Sequence, residues 1–267
     1  MNHELGAVRL LAERPRPRAV RDHPQAGWFA VSTVCLGAFM GQLDASIVLL
    51  AFPALQRSFA APLAAVQWVS LSYLLVLVAL LAAVGRVADA AGRKATYVYG
   101  FGLFTAASAA CGLAPGLGWL VGFRVIQAVG AAMLQANSVA LVVTSVPRAR
   151  MRAALGVQAA AQALGLALGP VLGGMLVNAA GWQWVFWVNV PVGIAGMAAG
   201  RLLLQRTRAR TPLGRFDGGG LVLLALASTA LLLALSGVSG LPLPGWAVPA
   251  LAVTAAAAGA GFWWRER

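Results

Sequence analysis

The stretch LLVLVALLAAV at residues 74–84 decides the fold class of this chain, because no polar side chain interrupts it. The stretch does not alternate between polar and apolar residues, as a strand of a membrane barrel does. It lies inside an apolar run at approximately 64–86, and a membrane-spanning helix needs about 20 such residues. Since hydrocarbon offers the backbone no hydrogen bonds, an all-α membrane protein is the predicted fold class.

Composition extends this prediction to the whole chain. Of its 267 residues, 60% are hydrophobic and 10% are charged, whereas soluble domains are about 45–50% apolar and about 25% charged. We therefore expect eight spanning helices, numbered one to eight along the chain. The other apolar runs of suitable length are at approximately 28–54, 96–114, 117–145, 153–177, 183–204, 217–237 and 246–264.

The basic residues predict the orientation. The chain has 20 Lys and Arg against 7 Asp and Glu, a net charge of +13. Nucleic acid is not the expected partner, because the basic residues form short clusters between long apolar runs. Nearly all of them fall in residues 1–26, at the chain's end and in the connections after even-numbered helices. By the positive-inside rule, both termini of this multi-pass protein are predicted to be cytoplasmic. Its expected location is the bacterial inner membrane.

Two ionisable residues fall inside the predicted bilayer, Asp44 in helix one and Arg124 in helix four. Counted at 1.5 Å per residue, they lie about 15 and about 10 Å below the outer face, so they can meet. Charges in such places face a bundle interior or a wet cavity. Two interpretations stay open: a structural ion pair, and a protonatable carboxylate in a shared wet crevice with a movable cation.

Polar side chains on the spanning helices are candidates for a substrate cavity. On helix four a polar stripe is expected, and Gln158 and Gln162 share a face of helix five at a spacing of four residues. Hydrogen bonding between helices and contact with a ligand are equally good interpretations. The candidate cavity residues are Gln42, Trp68, Gln127, Gln135, Asn137, Gln158 and Gln162.

Catalysis has no visible basis in the sequence. The two histidines, His3 and His23, lie in the N-terminal tail, so no metal site is expected in the membrane. Neither a G-x-x-x-x-G-K-[ST] loop nor a G-x-G-x-x-G fingerprint occurs. We expect no enzyme activity and no cofactor, and any active transport must then use an ion gradient or a partner.

Helix five carries small residues at a regular interval. Ala161, Gly165, Gly169 and Gly173 recur every four residues and predict a smooth face that a neighbouring helix can approach closely. Pro170 interrupts the backbone hydrogen bonds within this helix.

The loop between helices two and three, GRVADAAGRK at 85–94, resembles the G-x-x-x-D-x-x-G-R-K signature of the major facilitator superfamily. The usual basic residue after the aspartate is Ala90 here. Further stretches are similar to motifs of the 14-helix drug:proton antiporters within that superfamily, with Ala128, Ser46 and Leu49 as departures. These stretches are LDASIVLLAFP (43–53), RVIQAVGAA (124–132), GLALGPVLGG (165–174) and WQWVFWVNVPVG (182–193).

The resemblance implies an architecture. It implies a cytoplasmic Arg-rich tail at 1–26, a six-helix N-terminal transporter half at 27–204, a cytoplasmic linker at 205–216 and two further transmembrane helices at 217–267. It also implies two functional segments. The gating loop comprises Gly85, Asp89, Gly92, Arg93 and Lys94, and the antiporter-motif helix carries Gly165, Gly169, Pro170, Gly173 and Gly174.

The implied function is export of small lipophilic or cationic compounds, including drugs, in exchange for protons, with Asp44 and Arg124 coupling the two. The substrate would bind between helices one, two, four and five and a C-terminal half. Because transporters of this fold have two halves, we expect an incomplete chain that lacks its C-terminal half. The alternative is a truncated or split membrane subunit that does not transport by itself and needs a partner chain.

Overall fold

The computed structural model describes residues 13, 15–207, 218–238, 241 and 243–266. Within this part the regular structure is entirely helical, so the predicted all-α fold class is confirmed. Most of the predicted tail and linker, namely 1–12, 14 and 208–216, lies outside the described residues. The long helices are α1 (Ala26–Phe59), α2 (Leu63–Ala91), α3 (Arg93–Gly112), α4 (Leu117–Ser145), α5 (Met151–Ala180), α6 (Trp184–Leu203), α7 (Gly218–Val238) and α8 (Ala247–Glu266).

Six of these helices are long and apolar enough to cross a membrane: α1, α2, α4, α5, α6 and α8. In α7, the described apolar helix Val222–Val238 is slightly shorter. The remaining helix, α3, is less apolar because Thr, Ser and Tyr occur along it. It packs against α4 and α6, so much of its surface does not need to suit lipid.

Proline explains the one irregular point in α1. Residues Val48–Ala51 form a 3-10 turn between the α-helical segments Ala26–Ile47 and Phe52–Phe59. Pro53 has no N–H to donate to the carbonyl of Leu49, and the N–H of Phe52 takes that carbonyl instead. The tighter turn lies just beyond Asp44 in the chain.

The packing places α1 at the centre. This helix contacts α4, α5 and α6, while α2 packs on α4, and α7 and α8 form a hairpin that rests on α2 through α7. Buried apolar residues form two clusters, one containing Met40 of α1 and Ala128 of α4, the other Ile47 of α1 and Leu120 of α4. Asp44 and Arg124 lie between the clusters on both helices, near the middle of the bundle.

One end of the bundle is rich in basic residues, and we call it the basic face. It contains the beginnings of α1, α3 and α5 and the ends of α2, α4 and α6, with the side chains Arg16, Arg93, Lys94, Arg148 and Arg206. Two contacts fix this arrangement. Gly27 at the beginning of α1 lies against the carbonyl of Ser145 at the end of α4, and Lys94 contacts the end of α6.

Candidate functional site

Asp44 and Arg124 form a buried ion pair at the middle of the bundle. Nη1 of Arg124 lies 2.6 Å from Oδ2 of Asp44. The side chain of Asp44 is 0% exposed and that of Arg124 is 1% exposed. The structure thus brings together the two residues expected to meet. It differs from the expected wet crevice, because both side chains are sealed from solvent.

The carboxylate of Asp44 also receives two amide donors. Its Oδ1 accepts hydrogen bonds from Nε2 of Gln127 at 3.0 Å and from Nδ2 of Asn189 at 2.8 Å. Because Gln127 lies on α4 and Asn189 on α6, one charged group on α1 links three helices. Gln127 was expected to line a substrate cavity, and in the structure its amide belongs to this network.

Asn189 was not among the candidate site residues. Its Nδ2 also donates to Oγ of Ser108 at 3.2 Å, and that hydroxyl donates to the backbone carbonyl of Phe186. The Oδ1 of Asn189 is buried and has no hydrogen-bond partner among the described residues. The opposite amide orientation would point an oxygen at the Asp44 carboxylate, which only accepts. The sequence does carry a signal for this residue, since Asn189 interrupts an otherwise apolar run two residues before Pro191.

Arg124 has partners beyond Asp44. Its Nε donates to the backbone carbonyl of Val69 at 3.0 Å, and its Nη1 donates to Oε1 of Gln127 at 2.8 Å. Its guanidinium lies 4.0 Å from the ring centroid of Tyr73, a distance at which a cation is attracted to an aromatic face. A buried pair needs such additional bonds, because desolvation of two charges offsets much of their attraction.

A small cavity of about 70 Å³ lies between α1, α2 and α4, beside the ion pair. Gln42, Gln135, Ser138 and Tyr73 supply its polar groups. Since Tyr73 also contacts Arg124, the cavity and the charged network share a wall. Two of the predicted cavity residues, Gln42 and Gln135, are therefore placed together.

The other predicted cavity residues lie elsewhere. Asn137 is buried, and its Nδ2 donates to the carbonyl of Met133 in its own helix. This donor is therefore paired within the helix. Trp68, near the beginning of α2, has a buried indole N–H without a described partner and does not line this cavity. Gln158 donates to Oγ of Ser138 at 3.0 Å and joins α5 to α4. Gln162 is half-buried one turn further along α5.

The glycines of α5 pack against α1. A Cβ at Gly165 would meet the backbone carbonyl of Phe39, one at Gly169 would collide with the side chain of Ser46, and one at Gly173 would meet the carbonyl of Ile47. The predicted smooth face is therefore a close contact between two helices. Gly174 is an exception, because nothing lies within 4 Å of a Cβ built there. Pro170 lies inside α5 and is exposed.

The loop between α2 and α3 is tight and partly ion-paired. Gly92 has φ of 120°, a backbone conformation that favours glycine. Nε of Arg93 lies 2.7 Å from Oδ1 of Asp89, so these two side chains form an ion pair. A Cβ at Gly85 would make only an ordinary contact, 3.9 Å from Ala136.

Lys94 is buried and caps another helix. Its Nζ donates to the carbonyls of Arg201 and Leu204 at 2.8 Å each, at the end of α6, where a cation is favoured. Beside it, Glu13 accepts hydrogen bonds from the N–H groups of Ala95 and Thr207. Glu13 thus ties the tail to α3 and to the segment after α6, a contact between distant segments that the sequence pattern does not predict.

These features define a multi-pass helical membrane protein with a sealed charge network at its centre. The sequence profile of the Major Facilitator Superfamily matches residues 34–264. The chain belongs to this family of transport proteins, as its motifs indicated, and it is not an enzyme.

Curated relatives agree with this assignment, and a solved structure agrees with the fold. The chain is 36% identical over 258 residues to the tetracenomycin C resistance and export protein of Streptomyces glaucescens, covering 94% of this chain and 47% of the relative. It is 39% identical to the multidrug resistance protein Stp of Mycobacterium tuberculosis, covering 87% and 43%. A crystal structure of the peptide transporter POT in complex with sulfate shares the fold, with a TM-score of 0.61 at 16% identity, covering 85% of this chain and 49% of that one. The chain spans about half the length of the curated relatives it matches.

Proposed function

We propose that the chain is the N-terminal half of a proton-coupled exporter of small lipophilic or cationic compounds. The single observation that carries the proposal is the carboxylate of Asp44, sealed in the bundle and held by Arg124, Gln127 and Asn189. One relative is named a resistance and export protein and another a multidrug resistance protein, and these names support efflux as the direction of transport.

The geometry supports a two-state mechanism. In the sealed state Asp44 is ionised and Arg124 neutralises it. A proton that enters from the outside and binds Asp44 removes the negative charge, so Arg124 loses its ionic partner. Since a buried unpaired cation is costly, we expect α4 to shift relative to α1, opening the adjacent cavity. Release of the proton to the inside restores the pair.

We assign substrate binding to the side of the bundle that contains the small cavity between α1, α2 and α4. Gln42 and Gln135 line the cavity, and Gln158 has a buried Oε1 without a described partner. These groups offer hydrogen bonds, while Tyr73 offers an aromatic face. We propose that α1, α2, α4 and α5 form one wall of a larger binding site whose other wall comes from a second set of helices. Alternating access by rocking of two halves requires such a second set.

The orientation of the chain in the membrane and its location are also part of the proposal. The basic face carries nearly all of the charged loops, and we propose that it is cytoplasmic, in a bacterial inner membrane. The six-helix unit at 27–204, the linker at 205–216 and the pair of helices at 217–267 remain the proposed domain organisation. The gating loop and the glycine face of α5 are proposed to control opening on the cytoplasmic side and the direction of exchange.

A second candidate is a membrane subunit that does not transport alone. The observation that favours it is that the chain spans about half of its relatives. Co-expression with a separately encoded second set of helices, followed by affinity purification of this chain, tests this candidate. Recovery of a stable complex that transports supports the split-subunit case.

The main proposal is tested by efflux of a lipophilic cation, ethidium, from bacteria that lack their own exporters and express the complete gene. Asp44→Asn should abolish efflux that depends on the pH gradient. Asp22→Asn makes the same change on an exposed tail residue and should export like the wild type. Unchanged efflux by the Asp44 variant, at equal amounts of protein in the membrane, would refute the coupling role.

A further inference from the structure

The side chain of Asn189 is sealed beside Asp44, and one of its polar atoms makes no hydrogen bond. Asn189 is 1% exposed and lies on α6 where the helical segment Asn189–Leu203 begins. Its Nδ2 donates to Asp44 and to Ser108, whereas its Oδ1 is buried without a partner among the described residues. A buried acceptor without a hydrogen bond is unusual in native structures and needs a physical explanation.

Protonation of Asp44 changes what its carboxyl group needs from the neighbouring side chains. An ionised carboxylate only accepts hydrogen bonds, but a protonated one carries an O–H that must also donate. In a site closed to water, an O–H without an acceptor costs free energy. The three side chains that are hydrogen bonded to Asp44, namely Arg124, Gln127 and Asn189, are the first candidates for that acceptor.

Among these three side chains, only Asn189 has an acceptor that is not in use. Arg124 has no acceptor atom. The Oε1 of Gln127 already accepts from Nη1 of Arg124 at 2.8 Å and from Sγ of Cys111 at 3.6 Å. Because Arg124 stays charged and lies on the same helix as Gln127, the first of these bonds is kept when Asp44 is protonated. The Oδ1 of Asn189 is therefore the acceptor that remains.

Rotation of the Asn189 amide by half a turn brings this oxygen to Asp44. The amide nitrogen and oxygen then exchange places, and the terminal torsion of asparagine is broad and roughly two-fold, so the backbone does not need to move. Without rotation, a protonated Asp44 leaves two polar atoms unpaired, its own O–H and the Asn189 oxygen. After rotation only the amide nitrogen of Asn189 is unpaired, so the rotated amide suits the protonated state.

The other titratable side chains near Asp44 do not offer this acceptor. Tyr73 of α2 contacts Arg124, and Cys111 of α3 contacts Gln127, but the described hydrogen bonds of the carboxylate include neither of them. At this level α5 faces α1 with glycines. Since α6 packs directly on α1, Asn189 also stays beside Asp44 if α4 shifts.

We propose that Asn189 is a positioning residue whose amide reverses when Asp44 binds a proton. Asn189 donates through Nδ2 to the ionised carboxylate and accepts through Oδ1 from the protonated one. The proton binds Oδ1 of Asp44, where an O–H···O bond to Asn189 forms as the N–H···O bond from Asn189 breaks. This inference rests on the proton-coupling proposal, because it requires Asp44 to bind a proton.

The test is infrared difference spectroscopy of the full chain in detergent between high and low pH, with asparagine labelled by ¹³C at its side-chain carbonyl. The chain has four asparagines, Asn2, Asn137, Asn178 and Asn189, so few groups carry the label. An amide C=O absorbs at lower frequency once its oxygen accepts a hydrogen bond. We expect the labelled band of Asn189 to shift to lower frequency over the pH range in which the carboxyl C=O band of Asp44 appears.

Matched variants assign the two bands. Asp44→Asn has no titrating group at residue 44, so both bands should be absent from its difference spectrum. Asn189→Leu should lose the asparagine shift and keep the carboxyl band. Asn137→Leu replaces another buried asparagine, whose Nδ2 is bonded within its own helix, and should keep both bands.

A second protein keeps the test decisive if Asn189→Leu does not fold. Replacement of the other three asparagines by Gln leaves Asn189 as the single labelled residue and does not change the Asp44 site. The same shift to lower frequency is expected from this protein.

The inference is overturned if the Asp44 carboxyl band appears at low pH while the Asn189 band does not move. Asn189 would then be a fixed donor, and the proton-coupling proposal would stand without it. If no Asp44 carboxyl band appears at any pH at which the chain stays folded, Asp44 does not bind a proton, and both the inference and the proton-coupling proposal fail.

Discussion

Asp44 accepts hydrogen bonds from α4 and α6, so its charge joins three segments that are far apart in the sequence. At the scale of single residues, this makes the network respond as a unit to any change in charge. Removal of one partner leaves the other charge buried, at a cost of about 3–5 kcal/mol. Removal of both partners eliminates the uncompensated charge.

The first prediction is a double-mutant cycle on this pair. Asp44→Asn and Arg124→Gln should each lower the free energy of unfolding by about 3–5 kcal/mol. The double variant should be less destabilised than the sum of the two, because no charge is left unpaired. The free energy of unfolding of all four proteins is measured by titration in mixed detergents. Strict additivity would show that the two side chains do not interact.

The second prediction compares two buried asparagines. Asn189→Ala removes a donor from the Asp44 carboxylate and should cost about 1.5–3 kcal/mol, as for hydrogen bonds to charged groups. Asn137→Ala removes only a bond to the helix's own carbonyl at Met133 and should cost clearly less. Equal losses in the same unfolding measurement would contradict the role given to Asn189.

The sequence predicts part of this site for a clear physical reason. Charges in hydrocarbon are rare, so Asp44 and Arg124 stand out, and counting the helical rise places them at similar depths. The amides do not stand out in this way. Gln127 and Asn137 lie on the same helix, and only packing decides that the first faces Asp44 and the second faces its own backbone.

At the scale of elements, α1 and α5 approach each other through glycines. Gly165, Gly169 and Gly173 leave no room for a side chain, and close backbone approach of this kind holds helices together in lipid. The spacing of four residues predicts this face from sequence. It does not predict which helix covers this face, because several helices of the chain could pack against it.

The third prediction concerns this contact. Gly169→Ala should destabilise the bundle by about 1–3 kcal/mol through overpacking against Ser46. Gly174→Ala, five residues further along the same helix, points into open space and should have little effect. Thermal unfolding in detergent distinguishes them, and a tolerated Gly169→Ala would mean that α1 and α5 are not in close contact.

The fourth prediction concerns the loop between α2 and α3. Gly92→Ala forces an unfavourable φ of 120° on a residue with a Cβ and should cost about 1–3 kcal/mol. Gly85→Ala should be tolerated, because its Cβ would make only an ordinary contact. A comparison of melting temperatures checks both, and equal tolerance at the two positions would contradict the observed turn.

Hydropathy alone predicts the bounds of some helices better than those of others. The helices α2 and α4 correspond well to their apolar runs at 64–86 and 117–145. By contrast, α3 (Arg93–Gly112) begins three residues before its apolar run at 96–114, and it is less apolar than the six helices long and apolar enough to span a membrane, because α4 and α6 cover it. The contacts of Glu13 with α3 could not be predicted, since a single acidic residue in a polar tail has no periodic signal.

At the scale of the whole molecule, the charge network lies between two apolar clusters, one toward the basic face and one toward the opposite face. A shift of α4 relative to α1 would therefore loosen both clusters together. In the proposed mechanism, a proton on Asp44 is in this way coupled to the whole bundle. This mechanism requires the second set of helices against which the bundle can rock.

The most direct test uses the complete transporter in proteoliposomes and compares two kinds of transport of the same dye. We predict that Asp44→Asn abolishes uptake driven by a pH gradient but retains exchange of labelled for unlabelled dye without a gradient, because a permanently neutral residue 44 no longer takes up or releases a proton. Asp22→Asn should retain both activities. Uptake by the Asp44 variant that still follows the pH gradient would contradict the account.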